Sequence, residues 1–159
     1  MPEIKVLSYS DVQSCVDSGW PTHVISLINK PMPYYGPQHL HLMFDDVDTH
    51  GTQYVTPLVE HVHRVLAFST DLTENDRVLV HCLAGISRST AVAIGVLIQH
   101  GVAYQDAYKQ IAAIRPQLAP NRLIIQYIDE HFTLGGQLIR LIAANSPYPH
   151  LKTFMGLPI

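Results

Sequence analysis

The sequence predicts an α/β fold, with a central, mostly parallel sheet flanked by helices. Short runs of Val, Ile and Leu alternate with stretches whose apolar residues recur at helical spacing. Strands alternating with helices in this way build a parallel sheet covered on both faces. The chain is 47% hydrophobic and 14% charged, and its mean hydropathy is +0.12. That balance supports a sizeable core and argues against disorder. A length of 159 residues fits one domain, expected over 1–159, with a core at about 4–132 and a helix and tail at 133–159.

The elements follow in order. Ile4–Leu7 and Val24–Ile28 read as short buried strands, with a helix over Asp11–Ser18 between them. The stretch from Asn29 to Pro37 holds prolines, a glycine and Tyr34-Tyr35, and is a loop. Leu40–Phe44 is the next strand, followed by a loop from Asp45 to Gln53. Thr56-Pro57 reads as an N-cap and first helical position, and Leu58, Val59, Val62, Val65 and Leu66 form that helix's apolar stripe. Arg77–Val80 is a strand. The helix from Arg88 is apolar nearly all round through Leu97, as a buried central helix is, and Gly101 ends it. Ala107, Tyr108, Ile111 and Ile114 line the next helix, which Pro116 stops. Pro120 opens another, with Leu123, Ile124, Tyr127 and Ile128 inward. Leu134–Ala144 forms a last helix, and from Asn145 onward a tail lies on the surface.

The stretch His81-Cys82-Leu83-Ala84-Gly85-Ile86-Ser87-Arg88-Ser89 carries the chemistry. It joins the apolar strand Val78-Leu79-Val80 to the central helix, at the carboxyl end of a strand, where such sheets bind ligands. A tight loop there points backbone N–H groups inward as an anion nest, and the helix dipole adds positive potential. Arg88 supplies a planar fork for two phosphate oxygens. The same field lowers the pKa of a cysteine, ordinarily about 8.5, toward roughly 3.5–7.5. Cys82 is then a thiolate beneath a bound phosphorus, placed for in-line attack. Ser89 is suited to donate to the sulfur or to cap the helix. His81 is expected to donate within the loop and tune the thiolate.

At these residues the chain resembles the cysteine-dependent protein phosphatases, whose signature is His-Cys, five residues, Arg, Ser. The form HCLAGISRS is similar to the small dual-specificity branch, and compact bacterial tyrosine phosphatase-like proteins are the nearest overall match. Arg115-Pro116, Pro120-Asn121 and Gln126 resemble the segment behind the phosphate loop in that branch, and Thr22–Leu27 its early central strand. The chain departs from the pattern in the helix after the loop, Ala93-Ile94-Gly95-Val96-Leu97, which lacks the alanine–tyrosine pair of eukaryotic members. It also lacks the tyrosine-capping motif of the larger tyrosine-specific enzymes. The resemblance implies a protein tyrosine phosphatase-like architecture and phosphocysteine hydrolysis of phosphorylated protein, with no cofactor. It implies catalytic roles for Cys82, Arg88 and Ser89, and phosphate binding by His81 and the loop Leu83, Ala84, Gly85, Ile86, Ser87 and Arg88. The general acid falls among Asp45, Asp46 and Asp48. The family offset of two residues after Phe44 selects Asp46, with Asp45 the runner-up. The short chain and missing capping motif imply a shallow site open to phosphoserine, phosphothreonine and phosphotyrosine, for which Tyr34 and Tyr35 offer a wall. Asn121 and Gln126 are expected at the rim or just behind it.

Other classes compete. A formal net charge of −3, with no long block of like charge, gives no support for nucleic-acid or membrane binding. The run Ala91–Ile98 is too short for a bilayer span of about 20 residues. Cys15 and Cys82 make no disulfide framework. Cys82 must stay reduced, which fits a cytoplasmic setting, and Cys15 reads as a small core residue. His39 and His41 share a strand face near Asp45, Asp46 and His50, but no metal-ligand pattern forms there, while His61 and His63 diverge on a helix. A phosphate-binding module without turnover is the alternative, or the same chemistry on a phosphoinositide or an RNA 5′-phosphate.

Overall fold

The predicted apolar runs form β1 (Glu3–Leu7), β2 (His23–Leu27), β3 (His39–Leu42) and β4 (Arg77–His81). They make one sheet in the order β1-β4-β2-β3, with every pairing parallel. This is a computed structural model that describes residues 1–36 and 38–147. Strand β4 lies between β1 and β2, so the loop leaving it emerges at the middle of the sheet's carboxyl edge. Its last residue, His81, is paired with Leu7 on one side and Ser26 on the other.

Period-two alternation sorts the sheet residues into two layers. Val24 and Leu79 face α1 (Tyr9–Asp17), where Val12, Cys15 and Trp20 join them. Cys15 is thus a small residue packed beside α1's apolar face, in a different cluster from Cys82. Val6, Ile25, Leu27, Val78 and Val80 face the main core. That core is covered by α2 (Val59–Phe68), α3 (Arg88–Gln99), α4 (Tyr104–Ile114), α5 (Arg122–His131) and α6 (Gln137–Ala144). Helix α3 is its centre: every residue from Arg88 to Leu97 is buried. Each fully buried Val, Ile or Leu there contributes about 1.5–3 kcal/mol, so α3 is held by tertiary packing.

Several boundaries differ from expectation, each for a local reason. The third strand stops at Leu42 and not Phe44, because the Phe44 carbonyl accepts from Arg88 Nη1 at 2.7 Å and Asp45 N–H donates to the Val55 carbonyl. Helix α2 begins after Leu58 and not at Thr56-Pro57. The Leu58 N–H donates to His61 Nδ1 at 3.0 Å, and the Pro57 carbonyl accepts from Tyr127 Oη at 3.2 Å. Helix α5 is capped by Asn121, whose side chain accepts from Ile124 N–H, so Pro120 lies outside it. Helix α6 starts three residues after Leu134, because Gly135 and Gly136 take φ of +63° and +81°, a left-handed conformation that breaks the helix. The buried Asp129 carboxylate receives the N–H groups of Gly136, Leu138 and Ile139 at that end. The tail expected from Asn145 lies, beyond Pro147, outside the described residues, as does Pro37 at the end of the proline-rich loop.

Candidate active site

The loop between β4 and α3 is shaped by what its carbonyls bond to. The Leu83 carbonyl accepts from Tyr9 N–H. Those of Ala84 and Gly85 accept from Arg115 Nη2 and Nε, both at 2.9 Å. The Ile86 carbonyl takes Ala119 N–H and Thr90 Oγ1, and that of Ser87 takes Asn121 N–H and Ala91 N–H. Every carbonyl from Leu83 through Ser87 is therefore held on the outside of the loop. A planar trans peptide puts its N–H opposite its carbonyl, so the N–H groups turn inward as an anion nest. Gly85 makes the turn possible: its φ is +69°, and an added Cβ would lie 2.6 Å from the Leu7 carbonyl. Arg115 is thus the strut behind the loop, and its neighbour Pro116 ends the segment from α4.

Cys82 sits at the floor of the nest, 2% exposed. Its Sγ receives Gly85 N–H at 3.3 Å and lies 3.2 Å from Ser89 Oγ. Burial pushes the thiol's pKa up. The Ser89 hydroxyl and N–H, the Arg88 charge and the Gly85 N–H pull it down, and the net result is below the ordinary value. Ser89 lies inside α3 and does not cap it. The N-cap position is Ser87, which makes no side-chain cap bond. Arg88 is 6% exposed, its Nη1 is fixed on the Phe44 carbonyl, and its buried Nε has no partner among the described residues. A buried, unsatisfied guanidinium N–H is costly, unless an anion completes it.

The candidate acids part company. Asp46 Oδ1 accepts from Ser87 Oγ at 2.7 Å and from Asn121 Nδ2 at 2.9 Å. Asp45 points away: Oδ1 takes Asn29 Nδ2 at 3.0 Å and Oδ2 takes Val55 N–H at 2.7 Å. The Val55 N–H, then the Asn29 amide, hold its pKa below the usual carboxylate value. Asp48 is committed to Arg122, with Oδ2 2.6 Å from Nη2. Asn121 joins the site, whereas Gln126 donates along its own helix to Glu130 at 2.9 Å. A cavity of about 250 Å³ opens beside Asp46 and Ser87, walled by Asn121, Tyr108, Leu118 and Ile142, and its lining does not include Cys82 or Arg88.

His81 is fully buried, with Nδ1 3.2 Å from the Cys82 carbonyl and Nε2 2.7 Å from Ser26 Oγ. Burial, more than any neighbour, lowers its pKa to about 4. The partners Ser26, Arg115 and Asn29 were not legible as site residues from spacing; only Arg115 carried a signal, next to Pro116. Tyr34 is 72% exposed on the proline-rich loop, and Leu83 is 59% exposed at the lip of the nest. His39 and His41 lie with parallel rings 6.2 Å apart, but no group of three or more His, Cys, Asp or Glu among the described residues is arranged to hold a metal. No helix among them is long and apolar enough to cross a membrane.

Residues 12–132 match the family described as dual specificity phosphatase, catalytic domain. Mouse dual specificity protein phosphatase 15 is 30% identical over 122 residues, which cover 75% of this chain and 49% of that protein. Fission yeast (Schizosaccharomyces pombe) tyrosine-protein phosphatase yvh1 is 33% identical over 104 residues, covering 65% of this chain and 30% of that protein. The chain spans at most about half the length of these curated relatives. The crystal structure of human DUSP28 superposes with a TM-score of 0.66 at 19% identity, covering 86% of this chain and 96% of that one.

Proposed function

Because the chain belongs to the dual specificity phosphatase catalytic-domain family, we propose that it hydrolyses phosphomonoesters on phosphorylated protein through a phosphocysteine. The substrate phosphate sits in the nest with two oxygens on Arg88. The Cys82 thiolate attacks phosphorus from below, an S–P bond forms and the P–O bond to the leaving group breaks. Asp46 gives its proton to the departing oxygen, a step that contributes about 10²–10⁴-fold. Water then attacks the phosphocysteine with the Asp46 carboxylate as base. The S–P bond breaks, and Ser89 stabilises the thiolate that leaves. Nest and guanidinium act in both steps, because their donors are fixed before charge develops; a single such donor is worth about 10²–10³-fold.

The observation that carries this reading is the outward bonding of the loop carbonyls, which turns the loop N–H groups toward Cys82, beside a buried Arg88 Nε that has no partner among the described residues. It supports Cys82, Arg88, Asp46 and Ser89 in the stated roles, and the loop from His81 to Ser87 as the phosphate binder. The one-domain organisation over 1–159, a reducing cytoplasmic setting for Cys82, and a shallow site that takes phosphoserine and phosphothreonine as well as phosphotyrosine belong to the same proposal.

The test is hydrolysis of p-nitrophenyl phosphate in reductant and EDTA. Turnover is expected, and Cys82→Ser abolishes it while retaining inorganic phosphate binding by calorimetry. Phosphate binding without turnover in the wild-type protein identifies a binding module instead. Turnover that survives Cys82→Ser ends the phosphocysteine mechanism.

A further inference from the structure

Behind the nucleophile lies a chain of polar groups that phosphate chemistry does not itself require. The Cys82 carbonyl can only accept, so His81 Nδ1, 3.2 Å away, carries the hydrogen. A neutral His81 then accepts at Nε2, 2.7 Å from Ser26 Oγ. The other end is fixed independently. The Tyr35 backbone N–H donates to His39 Nδ1 at 3.1 Å, so His39 donates from Nε2, which lies 2.8 Å from the same Ser26 Oγ. Both ends impose one polarity: Tyr35 N–H to His39, His39 to Ser26, Ser26 to His81, His81 to the Cys82 carbonyl. Ser26 and His81 are both 0% exposed, so no bulk water substitutes for a missing link. The β2–β4 register, which sets Ser26 opposite His81, builds the central contact into the sheet.

We propose that Ser26 and His39 are positioning residues for the phosphocysteine reaction, holding the His81 ring so that its Nδ1–H stays on the Cys82 carbonyl and keeps the Cys82 peptide oriented in the nest. Without the Ser26 hydroxyl, His81 Nε2 becomes a buried acceptor with no donor. The hydrogen stays on Nδ1, because the Cys82 carbonyl still accepts there and an alanine side chain offers Nε2 no acceptor, but the ring loses the contact that fixes its tilt. A ring released at that end tilts, weakens the bond from Nδ1–H to the Cys82 carbonyl, and lets the peptide turn, which misaims the N–H groups that hold the thiolate. The relay begins at the loop that offers a substrate wall. The Tyr34 ring stacks on His39 at 6.0 Å and 28°, and that of Tyr35 lies 5.1 Å away. A displacement of this wall therefore reaches the nucleophile through hydrogen bonds.

This inference rests on the phosphocysteine reading, so its readout is taken from the thiol and the imidazole as well as from turnover. The variants are Ser26→Ala, His39→Phe and His39→Gln in the full chain, each checked by thermal melting. Phe keeps the ring stack without a donor, and Gln restores an N–H where Nε2 stood. In Ser26→Ala, the nitrogen-15 resonance of His81 Nε2 is expected to move to that of an acceptor without a donor, while the Nδ1–H signature stays. The apparent pKa for Cys82 alkylation by iodoacetamide rises about one unit, a tenfold slowing at acidic pH. kcat falls about tenfold with KM changed less than about twofold, as for an interaction that acts on the chemical step. His39→Phe moves the same quantities less, since Ser26 can still donate, and His39→Gln returns them toward wild type. A Ser26→Ala protein with an unchanged His81 Nε2 resonance and alkylation profile overturns the proposal, as does a His39→Gln protein indistinguishable from His39→Phe. If Ser26→Ala does not fold, the Phe and Gln pair decides alone. If the wild-type protein alkylates as described but never turns over, the hydrolytic reading falls and the relay stands.

Discussion

Replacing Asp46 by Asn isolates the proton it gives, because of how that carboxylate is held. Ser87 Oγ and Asn121 Nδ2 both donate to the same oxygen, Oδ1. An asparagine keeps that oxygen and both bonds, and substitutes an NH₂ only at the position of Oδ2. The acid loop therefore stays in place while the transferable proton is lost. The expected decrease in kcat is about 10²–10⁴-fold, or about 2.7–5.4 kcal/mol in barrier. It is largest for alkyl phosphates and smallest for p-nitrophenyl phosphate, whose leaving group needs little help. Asp45→Asn behaves differently. Both Asp45 oxygens accept from N–H donors, Asn29 and Val55, so an amide must set its own NH₂ against one of them. The expected cost is about 1 kcal/mol of stability and less than tenfold in rate. The assay is kcat/KM against pH for both variants with leaving groups of graded pKa. Asp46→Asn should lose the basic limb, and Asp45→Asn should keep it. If Asp45→Asn loses the limb and Asp46→Asn keeps it, the reasoning from free and committed oxygens is wrong.

Arg88→Lys should lose about 10²–10³-fold in kcat/KM, because an ammonium cannot span two phosphate oxygens while holding the Phe44 carbonyl; steady-state rates with substrate well below KM check it. Gly85→Ala should destabilise the fold by at least about 1–2 kcal/mol from the left-handed φ alone, with more from the Leu7 backbone contact, read as a urea midpoint. Stability should fall as pH drops from about 6.5 to about 4. His81 titrates at about 4 when folded, so the unfolded chain binds the extra proton across that window, a change on the order of 3 kcal/mol. Urea midpoints at pH 7 and pH 4.5 measure this slope, and His81→Gln should flatten it. Iodoacetamide should label Cys82 well before Cys15, because burial raises the Cys15 thiol while the nest lowers that of Cys82; peptide mapping gives the order.

The sequence by itself determined what is local. The strand, loop and helix around Cys82 are contiguous, so their residues, their spacing and the need for Gly85 could be read in one pass. The unbroken apolar run Val78-Leu79-Val80 marked a buried strand, and a helix apolar nearly all round marked α3 as the buried one, because an element with no polar face has none to give to water. Only the tertiary structure decided which groups meet across long sequence separations. Ser87 meets Asp46 across 41 positions and Asn121 meets it across 75, and these two bonds add a physical reason for Asp46 to the offset after Phe44 that selects it. The Ser26–His81 contact, 55 positions apart, exists only because β2 lies beside β4. The start of α2 moved to Val59 because the His61 ring took the Leu58 N–H, and Asp129 became a cap for α6, seven to ten residues ahead. Polar pairing of this kind follows from where donors and acceptors finally come to rest, and a single polar residue leaves no period in the sequence to announce its partner.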